Sequence, residues 1–241
     1  MPVELNALES ARFGVVAAHV RDASASLSEV NSAACALSVQ MLTVRIDCSD
    51  HARIHAAEAD GFRLMDSLVY YERDLAEPPP PPASSRDIIV RDARPDDAAA
   101  VGDIARAAFS NYIGHFHADP RLDRAAANDA YVDWAQSSVM RQSERDQAKV
   151  LVCDGHLAGF LTLRRNHASE SEIVLNAVHP DFQRRGFYER LLAEALVTAH
   201  GAGADRIIVS TQLDNFPVQR AWTKSGFRIA SALHTFHKWY A

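Results

Sequence analysis

From Leu175 to Tyr188 the chain reads Leu-Asn-Ala-Val-His-Pro-Asp-Phe-Gln-Arg-Arg-Gly-Phe-Tyr. This is an apolar strand, a His-Pro turn and a basic loop with one glycine, running straight into a helical stretch from Tyr188 to His200. The first turn of a helix leaves amides unpaired and carries about half a positive elementary charge. Anions settle there, diphosphates especially. Arg184 and Arg185 add two guanidinium groups, and Gly186 stands where a backbone can approach a ligand with no side chain between. The chemistry this combination suits is holding a phosphorylated cofactor by its diphosphate. A basic surface turn ahead of an ordinary helix would read the same way in isolation.

Two further groups carry polar chemistry. Glu172 and Asn176 lie four apart on the strand that feeds the loop, a spacing that puts them on one face. Glu172 is a candidate base, and Asn176 suits positioning a water or a substrate. A water wire ending at backbone or histidine is the alternative base. The stretch Asn111 to Arg121 packs His115, His117 and Arg121 among aromatic residues, a set that suits a sugar hydroxyl or a phosphate. Its His-x-His pair has no third ligand beside it, so no metal is expected. Each histidine taken singly also reads as a surface or capping residue.

The elements that must hold these residues alternate in an α/β manner. Ile88 to Arg91 reads as a strand. Arg94-Pro95-Asp96-Asp97 opens a helix with apolar positions at Val101, Ile104, Ala105 and Phe109. Ala126 to Gln142 is helical. Val150–Val152 and Leu157–Leu163 are strands split by Asp154-Gly155, residues of a tight hairpin turn. Strands follow at Ile173–Val178 and Ile207–Val209, then a helix at Phe216–Lys224 and a closing strand or hairpin at Phe227–Trp239. Before all of this, Pro78 to Pro82 form a stiff spacer that no helix or sheet tolerates. The expected organisation is therefore a domain at 1–77, a linker at 78–85 and a domain at 86–241.

Composition limits the function classes. The 241 residues carry a net charge of −6, which argues against a general nucleic-acid or membrane-surface role. No apolar run approaches a membrane span, and no secretory leader is expected. Three cysteines without close spacing give neither a disulfide framework nor a zinc pattern. A cytoplasmic protein is expected. Arginine far outnumbers lysine and alanine is abundant, which hints at a high-GC bacterial source.

The pattern Gln183-x-x-Gly186 after strand-His-Pro resembles the CoA diphosphate loop of the GNAT superfamily of acyl-CoA N-acyltransferases. Asn215, Val218, Trp222 and Gly226-Phe227 are similar to that family's Asn-x-x-Ala-x-x-x-Tyr-x-x-x-Gly-Phe pattern. The element order matches its mixed α/β fold over 86–241. Two departures stand out: Tyr188 replaces a small residue, and Trp222 replaces the Tyr that serves relatives as general acid. The resemblance implies acetyl-CoA as co-substrate, with pantetheine on the strand at Ala177 and Val178. Gln183, Arg184, Arg185, Gly186, Phe187 and Tyr188 would hold the diphosphate, with Asn215 and Trp222 nearby. An indole N–H donates a hydrogen bond but yields no proton in this pH range. Tyr188 or solvent would then supply the proton to the departing thiolate. Asn215 also reads as a helix N-cap, and Trp222 as core.

Acyl transfer to an amine also needs a proton removed. An ammonium with a pKa near 10 is neutral in roughly one part in a few thousand at pH 7, a cost of about 4–5 kcal/mol. The segment His-Ala-Asp-Pro-Arg and the tail Phe236-His237-Lys238-Trp239 look like those of amino-sugar N-acetyltransferases of surface-polysaccharide pathways. The expected reaction is direct attack, in a ternary complex, by the amine of a small acceptor, foremost a nucleotide-linked amino-deoxy-sugar. Another small amine, such as an amino acid or an antibiotic-like molecule, is the alternative acceptor. A CoA-binding regulatory module without turnover is the alternative from another class. A homodimer is compatible with either.

The first segment carries an internal echo of the second. Shifted by 165 positions, Leu42-Thr43-Val44 falls on Ile207-Ile208-Val209, Asp50 on Asn215 and Gly61-Phe62-Arg63 on Gly226-Phe227-Arg228. No glycine occurs from Ala23 to Leu37, so this copy lacks the loop. The expectation is a smaller degenerate GNAT-like half-domain preceding a GNAT acyltransferase fold.

Overall fold

The computed structural model describes residues 1–81 and 88–240, so the expected linker at 78–85 lies partly outside the described residues. In chain order the elements are β1 Val3–Leu5, α1 Ala7–Phe13, β2 Ala17–Val20, α2 Leu27–Ala36, β3 Met41–Asp47, α3 His51–Ala59 and β4 Arg63–Asp74. There follow β5 Ile88–Asp92, α4 Ala98–Ala108, α5 His115–Ala118, α6 Arg124–Met140, β6 Asp146–Cys153, β7 His156–His167 and β8 Glu170–Val178. The chain ends with α7 Phe187–Gly201, β9 Arg206–Gln212, α8 Phe216–Lys224 and β10 Arg228–Trp239. The fold is the expected mixed α/β type.

Contacts divide the chain into two compact units that are not sequential. Residues 1–69, 113–127 and 231–241 form the first, and residues 70–112 and 128–230 the second. The segment that holds His115 and the end of the last strand thus group with the N-terminal residues rather than with 86–241.

In the first unit the strand order is β1-β2-β3-β10-β4. β3 and β10 run antiparallel, from Leu233 opposite Asp47 to Trp239 opposite Met41. Side chains alternate across such a pair. Leu42, Val44, Ile46 and Phe236 enter a core with Val30, Ala34, Ala57 and Phe62. The other face carries Thr43, Arg45, Thr235, His237 and Trp239. Ser26 and Glu29 close a capping box at the start of α2.

In the second unit the order is β4-β9-β8-β7-β6-β5. Strands β5 to β8 pair antiparallel with their neighbours, and β8 pairs parallel with β9. Asp154 and Gly155 take φ of 50° and 81°, the left-handed turn expected between β6 and β7. Val101, Ile104, Ala105, Ala135 and Val139 from α4 and α6 pack on Val150, Phe160 and Leu175. Gly159 permits the close approach of α7: a Cβ there would lie 2.9 Å from the Ala177 carbonyl and 3.1 Å from Leu191.

The shift of 165 recurs in the fold. β3 (41–47), α3 (51–59) and β4 (63–74) have the bounds of β9 (206–212), α8 (216–224) and β10 (228–239) displaced by that number. Asp50 and Asn215 are the N-caps of the two helices, and Gly61 and Gly226 leave them with φ of 83° and 80°. The closing strands are exchanged. β10 lies beside β3, and β4 beside β9.

Candidate active site

Strands β8 and β9 begin as a parallel pair and then part. Register pairs run from Glu170–Arg206 to Ile173–Val209 and stop, although β8 continues to Val178 and β9 to Gln212. The parting coincides with a bulge. Leu163 of β7 faces Ile173 but Thr162 faces Leu175, so Val174 is the extra residue on β8. The Thr162 hydroxyl secures the kink by accepting from Leu175 N at 2.9 Å and donating to Leu175 O at 3.1 Å. The edge of β8 past the bulge, including Ala177 and Val178, is left without a β9 partner in this register.

The loop after β8 ends at that opening. Pro180–Phe182 make one 3-10 turn, Arg184 takes φ of 62°, and Gly186 caps α7 with φ of 77°. No side chain caps this helix. The first helical bond runs from Arg190 N to Gly186 O, which leaves the amides of Phe187, Tyr188 and Glu189 outside the helical ladder. A Cβ on Gly186 would meet nothing within 4 Å, so the space before the helix is open. Arg184 and Arg185 are exposed, and Arg185 lies over the Phe182 ring at 5.4 Å. The Gln183 amide turns back and donates to Val178 O at 3.3 Å. Open space, amides outside the helical ladder and two exposed guanidiniums are chemistry that would suit an anion.

Tyr188 and Trp222 meet. The indole Nε1 donates to the phenol oxygen at 2.9 Å, tying the first turn of α7 to α8. Trp222 is 1 % exposed and packs edge-on against Tyr71 at 5.3 Å. It is both core and a hydrogen-bond donor. Burial pushes the Tyr188 phenol above its ordinary value, outweighing the Trp222 hydrogen bond. Asn215 is the N-cap residue of α8, yet its side chain makes no cap bond and donates to the Thr211 hydroxyl at 2.9 Å.

Glu172 and Asn176 do not share a face, contrary to their spacing. Glu172 pairs with Arg164 and Asn176 with Leu161. Those partners are three apart on β7, hence on opposite faces, because the bulge at Val174 resets the alternation. The two residues cannot act side by side.

Residues 110–227 match the family model described as acetyltransferase (GNAT) family. Over that span, just under half of the chain, the sequence is similar to the GNAT acetyltransferases. Over 95% of its length and 95% of the relative, it is 28% identical to dTDP-fucosamine acetyltransferase of Escherichia coli O6:H1. It is 24% identical over 60% of its length, and 48% of the relative, to the spore coat polysaccharide biosynthesis protein SpsD of Bacillus subtilis. Among solved structures, a GCN5-related N-acetyltransferase from Sphaerobacter thermophilus shares the fold at a TM-score of 0.68 and 15% identity. That alignment covers 98% of this chain and 76% of that one.

The expected acceptor residues fall in the first unit, in an unforeseen arrangement. His115 Nδ1 lies 2.9 Å from His237 Nε2, and His237 Nδ1 lies 2.8 Å from Asp119 Oδ2. Trp239 Nε1 donates to the same carboxylate oxygen at 2.8 Å, and Arg121 N donates to Oδ1 at 3.0 Å. Burial would raise the Asp119 pKa, but these donors outweigh it and hold it at about 2. An ionised Asp119 favours a proton on His237 Nδ1, and the His115–His237 hydrogen bond continues the chain of contacts. Burial first, then the charges of His237, Arg45 and His117, lower the His115 pKa well below its ordinary value. His117 instead accepts from Gly114 N at 3.2 Å, and exposed Arg121 stacks on Trp239 at 5.3 Å.

Residue order alone gives Asp119, His237 and Trp239 no individual role. The available signal was the alternation of His237 and Trp239 on one strand face. Among the described residues no group of three or more His, Cys, Asp or Glu could hold a metal, and no helix is long and apolar enough to cross a membrane.

Proposed function

We propose that the chain transfers an acetyl group from acetyl-CoA to the amine of a nucleotide-linked amino-deoxy-sugar, by direct attack in a ternary complex. The observation that carries the donor half is the uncapped N-terminus of α7 behind Gly186, set where β8 and β9 part. Gln183, Arg184, Arg185, Gly186, Phe187 and Tyr188 would hold the diphosphate, and the β8 edge at Ala177 and Val178 the pantetheine amides. The acceptor class rests on the likeness to a dTDP-fucosamine acetyltransferase over 95% of both chains. His115, His117 and Arg121 belong to its recognition. We assign β3–α3–β4 and the residues before them to a degenerate GNAT-like half-domain, residues 1–77, joined through 78–85 to the acyltransferase portion at 86–241. A cytoplasmic location and a homodimer are consistent with this reading.

The side-chain chemistry required is modest, since a thioester is already activated and positioning does most of the work. Departure of the thiolate is eased by a nearby donor. A thiol titrates near 8.5 and a phenol near 10, so full transfer from a phenol pushed higher still runs uphill. Tyr188 therefore acts as a hydrogen-bond donor to the thiolate, and solvent supplies the proton. Asn176 orders a water or the acceptor, and Glu172 stands as base only if reached through water, given its opposite face. Thiol release from acetyl-CoA in the presence of dTDP-fucosamine tests the reading. Binding of acetyl-CoA with no turnover on a panel of amino sugars, amino acids and aminoglycosides would replace it with a CoA-binding module.

A further inference from the structure

In the first unit, the polar face shared by β3 and β10 holds buried groups that nothing above employs. Thr43, opposite His237, and Thr235, opposite Arg45, are 8 % and 0 % exposed. Both hydroxyl oxygens are buried without a hydrogen-bond partner among the described residues. So is Oε2 of Glu9, on α1. Buried polar atoms left unpaired cost about 1–3 kcal/mol each, so three in one neighbourhood call for a partner. The neighbourhood is shared. The charge of Arg45 acts on both Glu9 and His115, and α1 meets α5 through Phe13 and Phe116 at 5.1 Å. Phe116 in turn lies against His115 at 3.9 Å between ring centroids.

The chemistry of the unpaired set is selective. A carboxylate oxygen accepts, and two threonine hydroxyls donate or accept. An anion is disfavoured by the unpaired carboxylate. The complement is a molecule carrying an ammonium and several hydroxyls. We propose that Glu9, Thr43 and Thr235 form a subsite for the amine-bearing sugar ring of the acceptor, with Glu9 facing its ammonium, beside the hydrogen-bonded chain His115–His237–Asp119. This rests on the amino-sugar reading and names the residues that enforce it.

The groups acting on Glu9 are Arg12 of its own helix and Arg45 of β3, while His237, His117, Asp119 and Arg45 act on His115. Burial raises the Glu9 pKa to about 7, so an arriving ammonium binds better once that carboxyl has ionised. The test is calorimetric titration of the full chain with dTDP-fucosamine at pH 6 and pH 8. Acetyl-CoA is titrated in parallel. The wild-type Kd for dTDP-fucosamine is expected to tighten about fivefold to tenfold between the two pH values. Glu9→Gln should weaken it at least about tenfold and remove the pH dependence, with the Kd for acetyl-CoA unchanged. Thr235→Val, nearly isosteric, should weaken it several-fold. The same nucleotide sugar with a hydroxyl in place of the amine should bind wild type and Glu9→Gln alike. Unchanged affinity in Glu9→Gln, or no preference for the amine, overturns the subsite. So does intact acetyl-CoA binding without any dTDP-fucosamine binding. Loss of acetyl-CoA binding in the wild-type chain instead overturns the acetyltransferase reading.

Discussion

The indole of Trp222 donates to the hydroxyl of Tyr188 at 2.9 Å, and this bond joins the helix that follows β8 to the helix that follows β9. The two strands themselves pair only as far as Ile173 and Val209. Because the phenol oxygen accepts from the indole, its own proton is available for another acceptor. Two departures from the family pattern, at 188 and 222, are thereby one paired change.

Tyr188→Phe leaves a buried indole N–H unpaired and should cost about 1–3 kcal/mol of stability. If the phenol steadies the thiolate, kcat falls about tenfold, equivalent to one hydrogen bond, while KM for acetyl-CoA holds. Steady-state kinetics alongside thermal melts separates the two effects, and an unchanged kcat removes Tyr188 from the chemistry.

Gly186 offers a cleaner probe of the donor site. With φ of 77° and nothing within 4 Å of its Cβ position, Gly186→Ala should lose about 1–2 kcal/mol through backbone strain, without a clash. Gly186→Glu places a carboxylate where the diphosphate is expected. Acetyl-CoA affinity by calorimetry should drop at least about 100-fold. Retained affinity would contradict that placement.

Asp119 carries an acid-side stability term. Its folded pKa of about 2 lies below the ordinary 3.8, so its contribution is present above pH 3.8 and lost as pH falls through 2. The size is about 2 kcal/mol at neutral pH. Asp119→Asn should remove it and release the tautomer of His237, visible as a change in the imidazole nitrogen shifts by NMR.

Glu9 has the opposite sign. Its pKa is raised from 4.5 to about 7, so the folded state holds the proton more tightly than the unfolded chain. Stability is full below pH 4.5 and declines as pH rises through 7, by on the order of 3 kcal/mol. Urea melts between pH 5 and pH 8 should show this decline, and Glu9→Gln should flatten it. A decline of equal size in the variant would place its origin elsewhere.

Much of the local structure was legible in residue order. The hairpin turn at Asp154-Gly155, the anion-ready start of α7 and the shift of 165 linking Asp50 with Asn215 all follow from short-range pattern. A left-handed turn, an uncapped helix and a strand period are set by residues within one or two turns of each other. The faces of Glu172 and Asn176 were misread because one bulged residue, Val174, inverts alternation, and nothing in the strand's composition marks it. The bond from His237 to Asp119 spans 118 positions and that from Trp239 spans 120, so no spacing rule reaches them. Glu9, Thr43 and Thr235 look ordinary in sequence. Only when α1 and the β3–β10 pair pack do their polar atoms leave water together, and desolvation rather than residue type gives them a function to serve.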